Sequence, residues 1–426
     1  MVTGSAEAPW VAQALVDGLA RRGYRRAVPR AMPPFRRDGH LFTTPSAPDW
    51  QEQLLSATPR RGGGTATLAW CFDISGIEAL PAALPPSAQR VVGAVHTAGQ
   101  PPGRHLDDVI GALQECGVER GALAVGIVPG PAPGDGAESL LDALAAVGVR
   151  ERVALDRLPP GTPRRMRPHL GPCFTLEFPV GRQCSEHCRP GCPCGRHVLL
   201  GYGQFGGPTG RAGFEAVLLE PAVGCALAGV RTPLELPGFR PLVDGIRAAF
   251  PELSASPRGH AAVDVIADHL CTVALLLGGG VDPGPRGPSH VVRRLVRRAA
   301  TEILLAGGRP EGLVAATVLA DAAVRAPLGL DPLPARPLAL VRREVAALRA
   351  GLVTGRSWFL RRAAETRPDD LPRLIWRARG ERGVPIAVLL AWCEERFQPV
   401  SLRSLAALAP QRPTGRRGRT GPDRGE

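Results

Sequence analysis

Residues 265–299 read VIADHLCTVALLLGGGVDPGPRGPSHVVRRLVRRA, and this block decides how the second half of the chain folds. Apolar residues recur at helical spacing on both sides of a turn that is rich in Gly and Pro. The block therefore predicts two helices, over residues 260–277 and 289–305, each of which can bury an apolar face in a bundle.

Four arginines mark the second of these helices. They are Arg293, Arg294, Arg297 and Arg298, at positions i, i+1, i+4 and i+5, so their guanidinium groups occupy adjoining strips of one surface. Valine and leucine side chains fill the opposite face. Two interpretations remain open at this point: the arginines contact phosphate groups of a nucleic acid, or they form a solvated face that pairs with nearby acidic residues.

Helical periodicity continues through the C-terminal part of the chain. Further helices are predicted over residues 242–250, 311–325, 339–350, 357–365 and 384–397, separated by Gly and Pro breaks. Residues 237–409 are thus predicted to form an all-helical domain. Residues 410–426 contain almost no apolar side chains and are predicted to be a disordered basic tail.

The N-terminal part mixes both kinds of element. Helices are predicted over residues 10–22 and 137–147, and strands over residues 66–73, 90–95, 122–128, 174–178, 198–200 and 216–219. Residues 1–236 are therefore predicted to form a mixed α and β domain.

The chain is strongly basic, with a formal net charge of +13, a pI near 10.3 and arginine as its only basic residue besides histidine. This excess favours a polyanionic partner such as nucleic acid, although codon bias in a GC-rich genome also enriches arginine. No run of about 18 apolar residues is present and the N-terminus lacks a secretory signal pattern, so we expect no membrane span and a cytoplasmic location. The GGG triplets lack a following Lys-Ser/Thr, which excludes a P-loop.

A cysteine-rich insert spans residues 184–197. Four of the ten cysteines lie there at the spacing C-x3-C-x3-C-x-C, namely Cys184, Cys188, Cys192 and Cys194. In a reducing compartment, four thiolates this close in sequence can surround one Zn²⁺, and the intervening Gly and Pro residues allow the tight turns. A structural zinc site is predicted, in which His187 or His197 could replace a cysteine. A redox pair or free thiols are the alternative.

Other titratable residues are given structural roles. Asp268 and His269 are predicted to form a hydrogen-bonded structural pair on a helix. Nothing in the sequence fixes His96 or His105 relative to a nucleophile, so no catalytic residue is assigned.

The block at residues 265–299 resembles a segment of the alanyl-tRNA synthetases, a class II family, that begins with V-I-A-D-H and ends with Y-V-L-R-R-hydrophobic-hydrophobic-R-R-A. Further similar stretches follow the family's order: LFTTPSAPDW from Leu41, SAQRVV from Ser87, HLDDV from His105, GPC from Gly171, PLVDGI from Pro241 and GERGVPIAVLLAWCEER from Gly380. The resemblance implies a truncated, divergent member without the family's editing and C-terminal domains. The implied fold is α+β, with a class II synthetase-like antiparallel-sheet domain over residues 1–236 and a tRNA-recognition-like helical domain over residues 237–409.

The residues that hold ATP and alanine in the family are replaced in this chain. Two arginines that stabilise charge at the α-phosphate of ATP correspond to Gly93 and Gly229. The aspartate that binds the substrate ammonium corresponds to Ala222, and the family's E-I-W-N strand corresponds to residues 199–202. The resemblance therefore implies that alanine adenylation is lost and that ATP with Mg²⁺ is a doubtful cofactor.

The resemblance also implies a partner. We expect a tRNA with an alanine-type acceptor stem, contacted by Arg293, Arg294, Arg297 and Arg298 through its A-form shape. Such a protein could deliver alanyl-tRNA to a downstream enzyme. Two alternatives stay open: an active but divergent alanine–tRNA ligase or other ATP-dependent amino-acid-adenylating enzyme, and a protein-interaction subunit that keeps only the fold.

Overall fold

A computed structural model describes residues 9–27, 64–72, 77, 87–97, 102–130, 137–155, 172–190, 192, 194–205, 213–256 and 259–408. These residues divide into two compact units, one within residues 1–344 and the other within residues 345–426. The predicted tail, residues 410–426, and the stretch from Leu41 lie outside the described residues.

The first unit contains one sheet and most of the helices. Its strands are β1 (Tyr24–Arg26), β2 (Gly64–Phe72), β3 (Ala88–Thr97), β4 (Ala124–Val128), β5 (Glu151–Ala154), β6 (Cys173–Pro179), β7 (His197–Phe205) and β8 (Gly213–Leu219). Its helices are α1 (Pro9–Arg21), α2 (Pro102–Glu115), α3 (Ala137–Ala146), α4 (Glu220–Ala228), α5 (Arg240–Ala249), α6 (Glu252–Ala255), α7 (Gly259–Gly278), α8 (Gly287–Leu305) and α9 (Leu313–Val324).

The eight described strands form a single sheet in the order β1-β2-β3-β8-β7-β6-β4-β5. The five inner pairings are antiparallel, and only the two edge pairings, β1 with β2 and β4 with β5, are parallel. The prediction of an α+β fold with an antiparallel-sheet domain is confirmed. Because β8 lies between β3 and β7, the sheet brings together strands that are far apart in the sequence.

One face of this sheet is covered by α1 to α4. Side chains of alternate strand residues, such as Val92 and Leu218, pack there against apolar positions of the helices, such as Leu15 on α1. Phe174 and Phe214 stack in the same core with ring centroids 5.8 Å apart. Buried apolar residues on the opposite face include Val91 and Val217.

The remainder of the first unit is a helical bundle centred on α7. This helix is long and apolar enough, by length and composition, to cross a membrane, but 78% of its apolar window is buried inside the protein. It contacts α5, α8 and α9, which accounts for its uniformly apolar surface. It is therefore the core helix of the bundle. The search for an unbroken run of about 18 apolar residues did not single it out, because a few polar residues interrupt its apolar sequence.

The second unit is also helical. It contains the end of α10 (Ala335–Ala364), then α11 (Leu371–Arg382), α12 (Ile386–Arg396) and α13 (Leu402–Ala407). Phe359 and Trp392 lie in its core with ring centroids 6.0 Å apart, and the Trp376 indole N–H donates to the carbonyl of Leu405 at 3.0 Å.

The sequence was wrong about α10, which is one helix of 30 residues where two were predicted. Gly351 and Gly355 suggested a break, but both lie inside the helix. At Gly355 a β-carbon would lie 2.6 Å from the side chain of Val384, so the glycine permits a close approach and does not end the helix. The change from mixed to all-helical structure falls between α4 and α5, near residue 236 as predicted. The domain boundary itself stays a prediction.

Candidate functional site

The resemblance assigns the family's first arginine to Gly93, on the face of the sheet opposite α1 to α4, where Val91 and Val217 are buried. Gly93 lies in the middle of β3, and its neighbours across the strands are Thr67 on β2 and Val217 on β8. Neither neighbour carries a positive charge. Gly93 and the two described residues paired with it across the sheet therefore offer no cation to a phosphate group at this position.

Two buried acidic residues lie on this same face. Glu177 is 2% exposed and accepts a hydrogen bond from the Thr175 hydroxyl at 3.1 Å, and Glu215 is 8% exposed. Burial, reinforced by the charge of Glu215, raises the pKa of the Cys173 thiol to about 12.

The other replaced positions lie on α4 and β7. Ala222 is half-buried near the start of α4, where it packs against the cores on both faces of the sheet. Gly229 ends the helix with a left-handed backbone at φ 69°, and an arginine in that conformation would cost about 1–2 kcal/mol. On β7, Gly201 has no room for a side chain, because a β-carbon there would lie 2.6 Å from the carbonyl oxygen of Val217. The backbone at Gly229 and Gly201 therefore disfavours the larger side chains that the family has at the corresponding positions.

Arg90 is the buried arginine of β3, and it is already committed to an acidic partner. Its guanidinium forms a two-point ion pair with Glu220 at the start of α4, and the Nε–Oε2 distance is 3.0 Å. Burial raises the pKa of the Glu220 carboxyl, and the charge of Arg90 opposes that shift. This pair ties α4 to the sheet, and the sequence did not indicate it because the residues are 130 positions apart.

The predicted structural pair on α7 is present. His269 Nδ1 lies 3.0 Å from Asp268 Oδ2, and Asp268 also accepts hydrogen bonds from the backbone N–H of Ser87 at 2.8 Å and from its hydroxyl at 2.5 Å. Asp268 thus connects the bundle to the start of β3. Its role is to join elements.

The two histidines near the N-terminus are buried together. The rings of His96 on β3 and His105 on α2 lie 4.2 Å apart, and the His105 ring stacks on Phe214 at 4.9 Å. Burial, then the neighbouring His96, lower the pKa of His105 to about 4. The ring is consequently neutral and packed in the core.

The four cysteines of the insert converge in the loop between β6 and β7. The Sγ atoms of Cys184 and Cys192 are 3.6 Å apart, as are those of Cys188 and Cys194, and all four lie within 4.8 Å of one another. A tetrahedral Zn²⁺ site with Zn–S bonds of about 2.3 Å has edges of about 3.8 Å. The donor set fits a zinc ion, and the distance of 3.6 Å excludes a disulfide. The four cysteines could therefore hold a metal ion.

Hydrogen bonds inside the loop separate the acidities of its thiols. The backbone N–H of Cys184 lowers the pKa of Cys188 to about 7, assisted by Cys194 and Arg196, whereas hydrogen bonds with the other three thiols raise the pKa of Cys184 to about 12.

Neither histidine of the insert joins this group of ligands. His187 is exposed and lies 3.4 Å from Glu186. His197 begins β7, where burial lowers its pKa to about 4. The metal-ligating group in the described residues contains the four cysteines without a histidine.

The four arginines of α8 are partly buried. Arg293 and Arg297 both face Glu344 on α10, with Nε–Oε2 distances of 3.5 and 3.2 Å. Arg298 lies 2.7 Å from Glu302, one turn along α8, and its side chain is only 11% exposed. Arg294 is also half-buried. The sequence did not reveal Glu344 as the acidic partner, since it is 47 residues from Arg297.

Comparisons with known proteins place this chain near the alanine–tRNA ligases. It is 26% identical over 151 residues to that of Alkaliphilus oremlandii, 32% identical over 157 residues to that of Desulforudis audaxviator, and 37% identical over 105 residues to that of Mycobacterium sp. (strain KMS). The matches cover 32%, 32% and 24% of this chain, and 17%, 17% and 12% of the relatives. No family model matches the chain.

A solved chain described as a threonyl-tRNA synthetase of Aeropyrum pernix aligns with 63% of this chain and 69% of its own length, at 12% identity. Its TM-score of 0.33 is too low to establish a common fold. The identities to the curated ligases extend over up to about a third of the chain. This chain is therefore similar to the alanine–tRNA ligases over a region that makes up about a sixth of their length.

Proposed function

We propose that this protein binds tRNA through an alanine-type acceptor stem and does not adenylate alanine in the standard way. The observation that supports the proposal is a contrast within the chain: the arginine-rich segment that resembles the ligases is present, while glycine stands at position 93, where the resemblance places the family's first arginine. On this proposal the protein keeps the binding of tRNA and has lost the adenylation of alanine by ATP.

The loss of adenylation follows from charge. In-line attack on the α-phosphate builds negative charge that fixed arginines stabilise, and removing one such donor typically costs about 3 kcal/mol, or about 100-fold in rate. Here two positions lack the guanidinium, and the buried Arg90 is neutralised by Glu220. Together these effects support the proposal that the protein binds ATP very weakly or not at all.

The proposed tRNA contact lies on α8. Arg293 and Arg294 are the first two arginines of the helix, and Arg293 keeps 32% of its side chain exposed beside Glu344. Arg297 and Arg298 are more deeply buried, at 22% and 11%, and we assign them to holding α8 in place as well as to the basic field. A cytoplasmic location and delivery of alanyl-tRNA to another enzyme stay predictions.

We further propose that the four-cysteine loop binds one structural Zn²⁺. The ion would supply rigidity to the turn between β6 and β7, and no chemical step is assigned to it. Exposed Arg182 and Arg189 flank the thiolates and would be held in a fixed position by the closed loop.

Two measurements on the purified full chain test the proposal. ATP–pyrophosphate exchange with alanine should stay at the background rate, and an alanine-accepting tRNA should bind with an affinity that falls steeply with salt. A tRNA with a different acceptor stem serves as the control and should bind more weakly. Exchange at a normal ligase rate would favour an active, divergent ligase. Absence of tRNA binding would favour a protein-interaction subunit.

A further inference from the structure

An indole ring in the second unit is surrounded by guanidinium groups. Trp358 lies near the end of α10, and the Cζ atoms of Arg362 and Arg382 are 5.4 and 5.1 Å from its ring centroid. Arg377 from α11 lies 6.0 Å away. Three arginines from two helices thus meet at one tryptophan, within the range of cation–π contacts. We call these four residues the Trp358 patch.

The arginines of this patch are largely uncompensated. All three guanidinium side chains are exposed, and Arg377 bonds to Glu381 at 2.7 Å. In the part of the chain that the structure describes, Arg362 and Arg382 have no carboxylate partner. This contrasts with α8, where Arg293, Arg297 and Arg298 face glutamates.

The charge of the chain is concentrated in the same unit. Residues 345–426 contain sixteen arginines and eight acidic residues, so they supply +8 of the total of +13 although they are fewer than a fifth of the chain. A positive field of this size attracts a polyanion to this unit in particular.

A second tryptophan in the unit provides a contrast. Trp376 also has an arginine over its ring, Arg379 at 5.2 Å, but its indole N–H is committed to the carbonyl of Leu405. Trp376 is therefore a structural anchor for α13. Trp358 makes no such bond in the described residues, so its contacts with the arginines are what distinguishes it.

We propose that the Trp358 patch is a clamp for the phosphate backbone of RNA. A guanidinium that lies on an indole face loses rotational freedom, while its N–H groups remain directed outward in the plane of the fork that fits two phosphate oxygens. Arg362 and Arg382 bind adjacent phosphates in this way, and Trp358 fixes their separation. The inference rests on the proposed tRNA binding and adds a second contact, in residues 345–408, to the one on α8.

The test uses the full chain and fluorescence anisotropy with an alanine-accepting tRNA at several salt concentrations. The double variant R362Q/R382Q should weaken binding about 10-fold and reduce the slope of log affinity against log salt by about 1.4–1.8, since two phosphate contacts are lost. The control R367Q/R403Q removes the same charge from two exposed arginines of the same unit that are not among the three over the Trp358 ring. It should weaken binding less than 3-fold.

A further pair of variants tests the role of the ring. Trp358→Leu keeps both arginines and should still weaken binding several-fold, whereas Trp358→Phe keeps an aromatic face and should stay near the wild type. Thermal unfolding followed by circular dichroism identifies any Trp358 variant that fails to fold. In that case the comparison of R362Q/R382Q with its control decides the test.

The outcomes separate this inference from the proposed function. If wild-type protein binds tRNA and R362Q/R382Q binds like its control, the patch is not a clamp and the proposed function stands. If wild-type protein binds neither tRNA nor single-stranded RNA, both are overturned. If R362Q/R382Q instead loses binding to polyglutamate or to anionic vesicles while RNA binding is unchanged, the occupant is not RNA and the inference fails.

Discussion

Arg90 and Glu220 form a buried ion pair. Removal of one partner should be costly, because the other charge would stay buried without a counter-charge. Replacing Arg90 with Gln leaves the Glu220 carboxylate buried without a cation, and we expect the free energy of unfolding to fall by about 3–5 kcal/mol. Urea denaturation measures this loss. Replacing Arg309, which lies outside the sheet, with Gln is the control and should change stability by less than about 1 kcal/mol.

The pH dependence of the Arg90→Gln variant follows from the same pair. Burial raises the pKa of Glu220 above its ordinary 4.5, and loss of Arg90 raises it further. A carboxyl with a raised pKa in the folded state contributes stability below its unfolded pKa, and this contribution is lost as pH rises through the folded value. The destabilisation of the variant should therefore be smallest below pH 4.5 and grow as pH rises. A penalty that is constant with pH would argue against a buried carboxylate as its cause.

Arg294 and Arg298 on α8 should respond differently to the same change. Arg298→Gln leaves Glu302, which is 5% exposed, without its cation and should lower the unfolding free energy by about 3 kcal/mol. Arg294→Gln should cost less than about 1 kcal/mol in stability but should reduce the salt dependence of tRNA binding by about one phosphate contact. Denaturation and anisotropy measured on both variants decide this. Equal effects on stability and unchanged RNA binding would remove Arg294 from the proposed interface.

The loop between β6 and β7 is expected to depend on its metal, while the strands beside it are not. The backbone N–H of Val180 donates to the carbonyl of Arg196 at 2.7 Å, so the hairpin is closed independently of the thiols. Cys188→Ser should reduce bound zinc from about one per chain to near zero and speed tryptic cleavage after the exposed Arg182, because the loop is no longer held by the metal. The far-ultraviolet circular dichroism should change little.

The control for the metal site is Cys393→Ala, which alters a buried cysteine of the second unit. It should retain zinc at the wild-type ratio by elemental analysis. Zinc retained in Cys188→Ser at full occupancy would contradict the four-thiolate assignment.

Most elements with strong periodicity were predicted from the sequence, but the 14-residue helix α2 and the 12-residue helix α11 were not. The two helices of the block at residues 265–299 and the strands β3 and β6 are present at or near their expected residues. The three-residue edge strand β1 and helix α4, which follows β8 without a turn, carry too little pattern to be recognised. Glycines inside α10 were interpreted as breaks because their packing role depends on a neighbour that is distant in sequence.

Among the candidate sites, those whose residues are close together in the sequence could be predicted, and those whose residues are far apart could not. The cysteine cluster could be predicted because its four candidate ligands lie within eleven residues. The assignment of Gly93 and Gly229 to replaced arginine positions rests on a family pattern and stays a prediction. Ser87 with Asp268, separated by 181 residues, required the fold. So did the Trp358 patch, where α10 and α11 bring three arginines to one ring. Charge composition indicated a polyanionic partner but not which surface binds it.

Removal of residues 410–426 distinguishes binding by the folded units from binding by the tail. These residues contain five arginines and two acidic residues, so the net charge falls from +13 to +10. If α8 and the second unit hold the tRNA, the shortened chain should lose less than about 10-fold in affinity and keep a steep dependence on salt, because most phosphate contacts remain. Anisotropy with an alanine-accepting tRNA, measured beside the intact chain, gives the comparison. A shortened chain without salt-dependent binding would show that the basic tail alone attracts RNA, which is the result expected of a protein-interaction subunit.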